Sequence, residues 1–215
     1  MDPSAWRFAS HVHATLSGAD LVLLDVRRDA YFCLPDVGPD LVLAGSAAAL
    51  PEAVRAELQA GGLLAPGVAT APDRAALAVA DDLFDQPFPR PTARERLDFV
   101  TALAAMTVVY RGRPFEHLLR RATARKARGG PRPGADLRRR SLVFRRLLPW
   151  SPVQGACLFQ AALLLEYLGQ AGLSADWVFG VQTWPFRAHC WLQAGPTVLN
   201  DTVDRVAGFS PILVA

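Results

Sequence analysis

The chain has 215 residues and a net charge of +3, with 51% hydrophobic and 20% charged residues, a composition that suits a packed protein of one large or two small domains. The apolar runs are short and broken by Arg, Asp or Pro, which argues against a secretory signal or a membrane span and leads us to expect a cytoplasmic protein. Three cysteines form an odd count without metal-ligand spacing, so the sequence predicts a free thiol rather than a disulfide framework, and no metal site.

Residues 1–65 are expected to form a three-stranded meander followed by two short helices. Turn residues separate short apolar or alternating runs, which lie at 11–16, 20–26 and 30–34. Helical stretches follow near 36–44 and 51–60, and the second begins with proline and ends at two glycines. This order is the outline of a winged helix-turn-helix, and the edge of such a sheet can receive a partner peptide as a further strand.

The same outline would suit a DNA-binding regulator, but the charge of the segment argues against that interpretation. Residues 1–65 hold eight Asp or Glu against four Arg, whereas a protein that reads duplex DNA needs a positive face. We therefore rank peptide binding above nucleic-acid binding for this segment.

The segment 66–94 is rich in proline and poor in periodic apolar runs. It is interpreted as a linker between an N-terminal domain, 1–65, and a C-terminal domain, 95–215. Helical periodicity begins after Thr92, which with Glu95 three residues later resembles a capping box.

Residues 111–146 carry a strong local charge, and Pro114 is expected to open a basic helix there. Thirteen Lys or Arg accompany two acids, so this segment carries +11 and the rest of the chain −8. Aromatic residues barely interleave with the arginines. We therefore rank a solvated helical face or a partner contact above nucleic-acid binding.

A further helix is predicted to begin at Cys157. Apolar residues follow it on one stripe at three- and four-residue steps, formed by Leu158, Ala161, Ala162, Leu165 and Leu168. Unpaired N–H groups and the positive dipole end in a first helical turn favour thiolate over thiol. A free cysteine is often just a small core residue, but the helix-start position of Cys157 favours the reactive interpretation.

The strand predicted at 187–193 carries His189. Apolar and polar residues alternate along it, which places Cys190 against the core and His189 toward a cleft. The turn signal Ala194-Gly195-Pro196 follows, so the strand should form a hairpin with the next one.

The register of this hairpin decides which residue lies beside His189. A turn centred on Gly195 opposes His189 directly to Asp201, and directly opposed residues share a face. A loop one residue longer or shorter would instead oppose His189 to Asn200 or Thr202. With the first register, Cys157, His189 and Asp201 would supply a thiol, a base and an orienting carboxylate for acyl transfer through a thioester.

These residues resemble the lasso peptide biosynthesis B proteins, which are transglutaminase-like cysteine peptidases. The resemblance covers roughly 95–215 and is carried by the run 180–192, by Cys157 at the head of its Leu-rich helix, by Asn200-Asp201, and by the closing Phe209-Ser210-Pro211-Ile212-Leu213. Such proteins commonly have alanine where this chain has Cys190.

The resemblance implies an α+β protein with an N-terminal winged helix-turn-helix-like domain and a C-terminal transglutaminase-like (papain-like) cysteine peptidase domain. The first domain resembles a leader-recognition element, which holds the leader along its third strand. Groove residues would then be Tyr31, Cys33, Val54 and Leu58, each of which core packing would explain as well.

The implied activity is removal of the leader from a ribosomally made lasso precursor peptide, and the product would pass to an asparagine-synthetase-like lasso cyclase. Cys157, His189 and Asp201 would be catalytic, and Gln154 would be a candidate for stabilising the oxyanion. No P-loop or GxGxxG motif occurs, so no cofactor is required by the sequence, although ATP stimulation is implied by the resemblance. The alternatives are a transglutaminase or amidase with the same triad, and a non-catalytic winged-helix binding protein.

Overall fold

The computed structural model describes residues 6–37, 50–67, 78–110, 112–128, 134–152 and 156–215 of a mixed α+β protein. These residues form two compact units that do not divide the chain at a single point. The first unit combines the part of the chain through Ala76 with Gly180–Ala188 and Phe209–Leu213, and the second unit holds the remainder. The domain bounds 1–65 and 95–215 remain a prediction.

The first unit contains the predicted meander. Its strands are β1 (Trp6–Phe8), β2 (Val12–Ser17), β3 (Asp20–Asp25), β4 (Ala30–Leu34) and β5 (Leu64–Pro66), and its helix is α1 (Glu52–Ala60). Strands β2, β3 and β4 form one sheet in that order, and β1 pairs with β5. The meander and the second predicted helix are therefore confirmed, while the stretch expected near 36–44 lies almost wholly outside the described residues.

The core of the first unit forms around β3, whose six residues are all buried. Leu21 and Leu23 have no exposed surface and pack in one cluster with Leu58 of α1, against which Val54 also packs. A strand buried on both faces is apolar along its middle, as the run Leu21-Val22-Leu23-Leu24 is, and the two buried aspartates of β3 lie at its ends.

The second unit contains five α-helices among its described residues. They are α2 (Ala93–Val109), α3 (Phe115–Arg128), α4 (Gly134–Leu147), α5 (Cys157–Gln170) and α6 (Val203–Val206), and a short 3₁₀ helix, Leu148–Trp150, follows α4. The predicted capping box is confirmed, because the Glu95 N–H donates to the Thr92 hydroxyl and the Thr92 N–H donates to the Glu95 carboxylate. Helix α5 is buried on every side from Ala161 to Leu168, so the predicted single stripe was too narrow and α5 is a central helix.

The remaining strands form a five-stranded sheet. They are β6 (Asp81–Asp82), β7 (Asp176–Gln182), β8 (Arg187–Ala194), β9 (Thr197–Val198) and β10 (Ser210–Val214), in the spatial order β10-β7-β8-β9-β6. Strand β6 comes from the segment interpreted as a linker, and it pairs in parallel with β9.

Many arginines of the basic segment are bound inside the second unit, so a solvated face is the wrong description for them. Glu166 on α5, whose side chain is 5% exposed, pairs with Arg121 and Arg125 of α3. Asp98 on α2 pairs with Arg140 of α4. These pairs join helices that lie far apart in sequence, because a buried carboxylate must be compensated by a cation.

Replacing Glu166 with glutamine is expected to lower the free energy of unfolding by about 2–4 kcal/mol, because two guanidinium groups lose their carboxylate. The loss stays below that of a fully buried charge because Arg121 is 38% exposed. Urea unfolding monitored by circular dichroism provides the measurement. Glu116→Gln is the control, since Glu116 makes no ion pair with any described residue. An equal loss of unfolding free energy in both variants would show that the ion pairs of Glu166 do not stabilise the packing of α3 against α5.

Candidate active site

Cys157 is the first residue of α5, as the sequence predicted. The residue before it, Ala156, is extended and offers no side-chain cap to the first turn of the helix. Cys157 is only partly buried. Its thiol therefore lies at the positive end of a helix dipole, where a thiolate is favoured.

His189 on β8 contacts both the thiol and a carboxylate. Its Nε2 lies 2.5 Å from Asp201 Oδ2, and its ring also hydrogen-bonds Cys157. Because Asp201 occupies Nε2, the nitrogen that faces the thiol is Nδ1. The structure thus brings Cys157, His189 and Asp201 into one hydrogen-bonded chain within the second unit.

The electrostatics of this chain favour a thiolate–imidazolium pair. Hydrogen bonds from Cys190 and His189 lower the pKa of the Cys157 thiol to about 4, against the opposing effect of burial. Burial by itself would lower the pKa of His189, but the hydrogen bonds to Asp201 and Cys157 raise it to about 9. At pH values between about 4 and about 9, the sulfur of Cys157 is negative and the imidazole of His189 is positive, so the nucleophile is charged at neutral pH.

Asp201 is held in place by several donors. Its Oδ1 accepts the Thr202 N–H at 2.9 Å, and the Arg205 Nε lies 3.8 Å from its Oδ2. Burial would raise the pKa of this carboxyl, but the hydrogen bonds from His189 and Thr202 outweigh burial and lower it. Asp201 is therefore ionised and can stabilise a protonated His189.

The predicted hairpin register is wrong by one residue. Strands β8 and β9 pair Gln193 with Val198 and Ala194 with Thr197, around a two-residue turn. Its first residue, Gly195, has a φ of 57°, in the left-handed region that glycine adopts without strain. Continued, this register would oppose Thr202 to His189.

Asp201 contacts His189 because the hydrogen-bonded pairing of β8 with β9 ends before residue 201. The last ladder bond is donated by the Leu199 N–H, and the Asn200 side chain then accepts the Leu192 N–H at 2.7 Å. Thr202 caps α6, and the carboxylate of Asp82 accepts the Val203 N–H. The contact of His189 with Asp201 was thus predicted correctly from an incorrect pairing.

Cys190 is part of the site, although the predicted alternation placed it against the core. Every residue of β8 from His189 to Gln193 is buried, because both faces of this strand are covered. Both the thiol and the backbone N–H of Cys190 hydrogen-bond the Cys157 sulfur, and the thiol contact raises the pKa of Cys190 itself. Sequence reasoning missed this donor because it relied on strict alternation.

The other predicted site residues separate into two groups. Tyr31 and Cys33 of β4 line a cavity of about 150 Å³ in the first unit, whereas Val54 and Leu58 belong to the hydrophobic core. Gln154 lies outside the described residues.

The cavity beside β4 also contains residues that the sequence did not single out. Thr183, Trp184 and Phe186, from the turn between β7 and β8, line it together with Phe32. The turn is anchored in the first unit, since Trp184 Nε1 donates to Asp20 at 2.7 Å and the Thr183 N–H donates to Ser17 Oγ. Trp184 nevertheless remains 76% exposed. The run Thr-Trp-Pro-Phe was visible in the sequence, but its distant partners were not.

The described residues contain neither a candidate metal cluster nor a candidate membrane-spanning helix. No group of three or more His, Cys, Asp or Glu residues in that part of the chain could hold a metal ion. No helix there is long and apolar enough to cross a membrane.

The geometry defines an α+β protein that holds a thiol, an imidazole and a carboxylate in mutual contact. The family model described as the transglutaminase-like superfamily matches residues 100–214, which is more than half of the chain, and the chain belongs to that superfamily. Its domains are typically cysteine-protease-like enzymes, and membership fits a cysteine peptidase or an acyltransferase. No curated protein and no solved structure matches the chain.

Replacing Cys190 with alanine is expected to raise the pKa of Cys157 by about one unit or more, because a hydrogen bond to a charged group is lost. Removing a donor to the thiolate disfavours the charged form, so the shift must be upward. The far-ultraviolet absorbance of the thiolate, titrated from acid to neutral pH, measures it. Cys33→Ala is the control, and an unchanged midpoint in Cys190→Ala would show that the Cys190 thiol does not act on Cys157.

Proposed function

We propose that the protein is a cysteine peptidase that binds the leader of a lasso precursor peptide and removes it, with Cys157, His189 and Asp201 as its catalytic residues. The observation that carries the proposal is the hydrogen-bonded chain of these three side chains, with the pKa of Cys157 lowered to about 4. Superfamily membership supports the chemistry, and the resemblance to the lasso peptide B proteins supports the substrate.

In the first half of the reaction, the Cys157 thiolate attacks the carbonyl carbon of the last leader residue. The resulting oxyanion is stabilised by the Cys157 N–H at the start of α5, with the Gln154 side chain as a second candidate. The protonated Nδ1 of His189 gives its proton to the departing amine of the core peptide. The amide bond breaks and a thioester to the leader remains.

In the second half, His189 accepts a proton from water, and the hydroxide formed attacks the thioester. The C–S bond breaks, the leader leaves as a carboxylic acid that releases its proton to solvent, and the thiolate of Cys157 and the imidazolium of His189 are restored. Asp201 fixes the tautomer of His189 and stabilises its charge through Nε2 in both halves.

The first unit is the proposed leader-binding element, and we propose that its meander and α1 belong to a winged-helix-like domain. Strand β4 lies at an edge of its sheet, so a peptide can add to it as a further strand. The cavity lined by Tyr31, Cys33 and Trp184 has an apolar wall beside that edge and suits an apolar side chain of the bound peptide. The remaining proposed partner is the asparagine-synthetase-like cyclase, and ATP stimulation would come with that partnership.

Leader binding is tested in the full-length protein with a fluorescent peptide that carries the leader sequence of a lasso precursor. Trp184→Ala is expected to weaken binding about tenfold or more, because a large aromatic wall of the cavity is lost. Fluorescence anisotropy gives the dissociation constant. Leu97→Ala, which removes a 61% exposed side chain from α2, should bind like the wild type, and equal affinity of all three proteins would reject this peptide site.

Superfamily membership fits an acyltransferase equally well, so transfer to an amine is the second candidate. The thioester at Cys157 would then react with a primary amine instead of water. Mass spectrometry of the leader fragment after reaction in ¹⁸O-water with added amine separates the two. An ¹⁸O-labelled carboxylate supports the peptidase, and an amide product that accumulates in preference to it would replace the peptidase by a transferase.

A further inference from the structure

The thiol of Cys190 contacts the sulfur of the proposed nucleophile. Cys190 directly follows His189 on β8, and its side chain hydrogen-bonds the Cys157 sulfur at the start of α5. Cys190 is only 2% exposed, whereas Cys157 is partly exposed. The proposed cleavage uses Cys190 as a hydrogen-bond donor, a task that needs no second sulfur. Two sulfurs in contact can also be joined by oxidation, which a single thiol cannot do.

The position of Cys157 in its helix allows the two sulfurs to come within bonding distance. A disulfide needs sulfurs about 2 Å apart, closer than a hydrogen bond brings them, so one side chain has to turn. Inside a helix the preceding turn restricts such a rotation. Cys157 is the first residue of α5 and has no preceding turn, so the helix itself does not oppose the rotation that brings its sulfur onto Cys190.

The two thiols differ in ways that decide which one an oxidant attacks first. Peroxides react with a thiolate that solvent can reach. Cys157 is the more exposed of the two, and its pKa is lowered to about 4, so it is ionised at neutral pH. The pKa of Cys190 is raised, first by its hydrogen bond to Cys157 and then by burial. Cys190 therefore stays protonated while Cys157 carries the charge.

We propose that Cys157 and Cys190 form a modification site for peroxides, in which Cys157 is oxidised and Cys190 converts the product into an intrachain disulfide. The contact between a partly exposed sulfur and a buried one carries the proposal. Because Cys190 is buried, the oxidant reaches the pair through Cys157 alone, and hydrogen peroxide is small enough to do so.

In the first step, the Cys157 thiolate attacks one oxygen of hydrogen peroxide and the O–O bond breaks. The sulfur becomes a sulfenic acid, oxidised by two electrons, and the departing hydroxide takes the proton of the His189 imidazolium to become water. In the second step, the Cys190 sulfur attacks the Cys157 sulfur and the S–O bond breaks. The hydroxyl group leaves with the Cys190 proton as water. One peroxide and two thiols thus give one disulfide and two waters.

Oxidation of Cys157 also makes Cys190 a better nucleophile. The thiolate charge of Cys157 is one cause of the raised pKa of Cys190, and that charge is lost when the sulfur becomes a neutral sulfenic acid. Without a second thiol, the sulfenic acid is open to further oxidation to sulfinic acid, which ordinary thiols do not reduce. Cys190 therefore keeps the oxidation of Cys157 reversible.

Peptide mapping by mass spectrometry tests the pair in the full-length protein, after treatment with hydrogen peroxide and alkylation of the remaining thiols. A pH of about 7.5 keeps Cys157 ionised in every variant. We expect a chain about 2 Da lighter, with the peptides of Cys157 and Cys190 joined, and dithiothreitol should restore both thiols. Cys190→Ser keeps a hydrogen-bond donor but cannot form the disulfide, so dimedone should label its Cys157 sulfenic acid. This variant should accumulate at least about tenfold more sulfinic acid than the wild type, because no second thiol intercepts the sulfenic acid.

Cys33→Ala is the control, because it removes an exposed thiol of the first unit whose pKa is raised. It should form the same disulfide at the wild-type rate. A wild-type chain without the disulfide, sulfinic acid at equal levels in wild type and Cys190→Ser, or a bond that joins Cys157 to Cys33 would each overturn the pair.

One consequence rests on the proposed function. If Cys157 is the nucleophile of cleavage, the disulfide should stop cleavage until dithiothreitol is added, since the thiolate is then absent. The mapping itself uses no peptide substrate. A protein that forms the disulfide but never cleaves would contradict the peptidase alone, and one that cleaves but forms no disulfide would contradict the modification site alone.

Discussion

Replacing Cys157 with alanine is expected to abolish cleavage of the precursor, with a fall in rate of at least about four orders of magnitude, because no other group can form the thioester. The side chain is only partly buried, and alanine is a good helix former at the start of α5. Folding and leader binding should therefore persist. Single-turnover cleavage followed by mass spectrometry measures the loss.

The other two cysteines serve as controls for this prediction. With the enzyme in saturating excess over the precursor, Cys33→Ala should cleave at close to the wild-type rate, since Cys33 lies in the first unit at the proposed peptide site and has no role in the chemistry. Cys190→Ala should cleave more slowly than the wild type near pH 5, because fewer of its Cys157 thiols are ionised there, and should recover as the pH rises to neutral. Cleavage by Cys157→Ala at a rate comparable with these variants would remove Cys157 from the mechanism.

The second large effect is expected for Asp201→Asn. The substitution keeps the shape of the side chain but removes the charge that stabilises the His189 imidazolium and selects its tautomer. The equivalent change in the Ser-His-Asp triad costs about four orders of magnitude in turnover, and we expect about two to three here because a thiol ionises more readily than a serine hydroxyl. The rate of single-turnover cleavage is again the readout.

Asp204→Asn provides the matched control for Asp201→Asn. Asp204 lies three residues further along the chain, in the first turn of α6, and is exposed, so its substitution should change the rate less than about threefold. A greater loss in Asp204→Asn than in Asp201→Asn would reassign the residue that orients His189.

The start of α5 was predictable because its signals are local. Apolar residues at helical spacing and the glycine at 172 identify a helix of about the observed length. The carboxylate beside His189 was found for a different reason. A register wrong by one residue still pointed to Asp201, because the chain departs from the β8–β9 pairing after Leu199 and this departure brings Asp201 to His189.

The correct register depends on interactions that no local pattern contains. The chain leaves the ladder after Leu199 because α6 begins at Val203, whose N–H is accepted by Asp82 from a strand far earlier in the sequence. Burial of both faces of β8 similarly brought Cys190 to the site against the expected alternation. Tertiary contacts of this kind override the alternation of buried and exposed side chains that is expected along a strand.

The basic segment shows the same limit. Its charge was evident from the sequence, but the carboxylates that bind it, such as Glu166 and Asp98, lie about 40 residues from their arginines. The sequence shows how many charges the segment carries, but it does not show which arginines pair with a buried carboxylate.

The most direct test of an activated Cys157 is its alkylation by iodoacetamide at about pH 5.5, where an ordinary thiol is almost entirely protonated. Cys33 serves as the internal reference, because burial and the charge of Asp20 raise its pKa. A low-pKa thiolate is intrinsically less nucleophilic, so we expect Cys157 to react only about tenfold faster than Cys33 despite its far larger ionised fraction. Peptide mapping by mass spectrometry gives both rate constants in one sample. Faster labelling of Cys33, or a Cys157 rate that rises tenfold per pH unit up to pH 8, would contradict the thiolate–imidazolium pair.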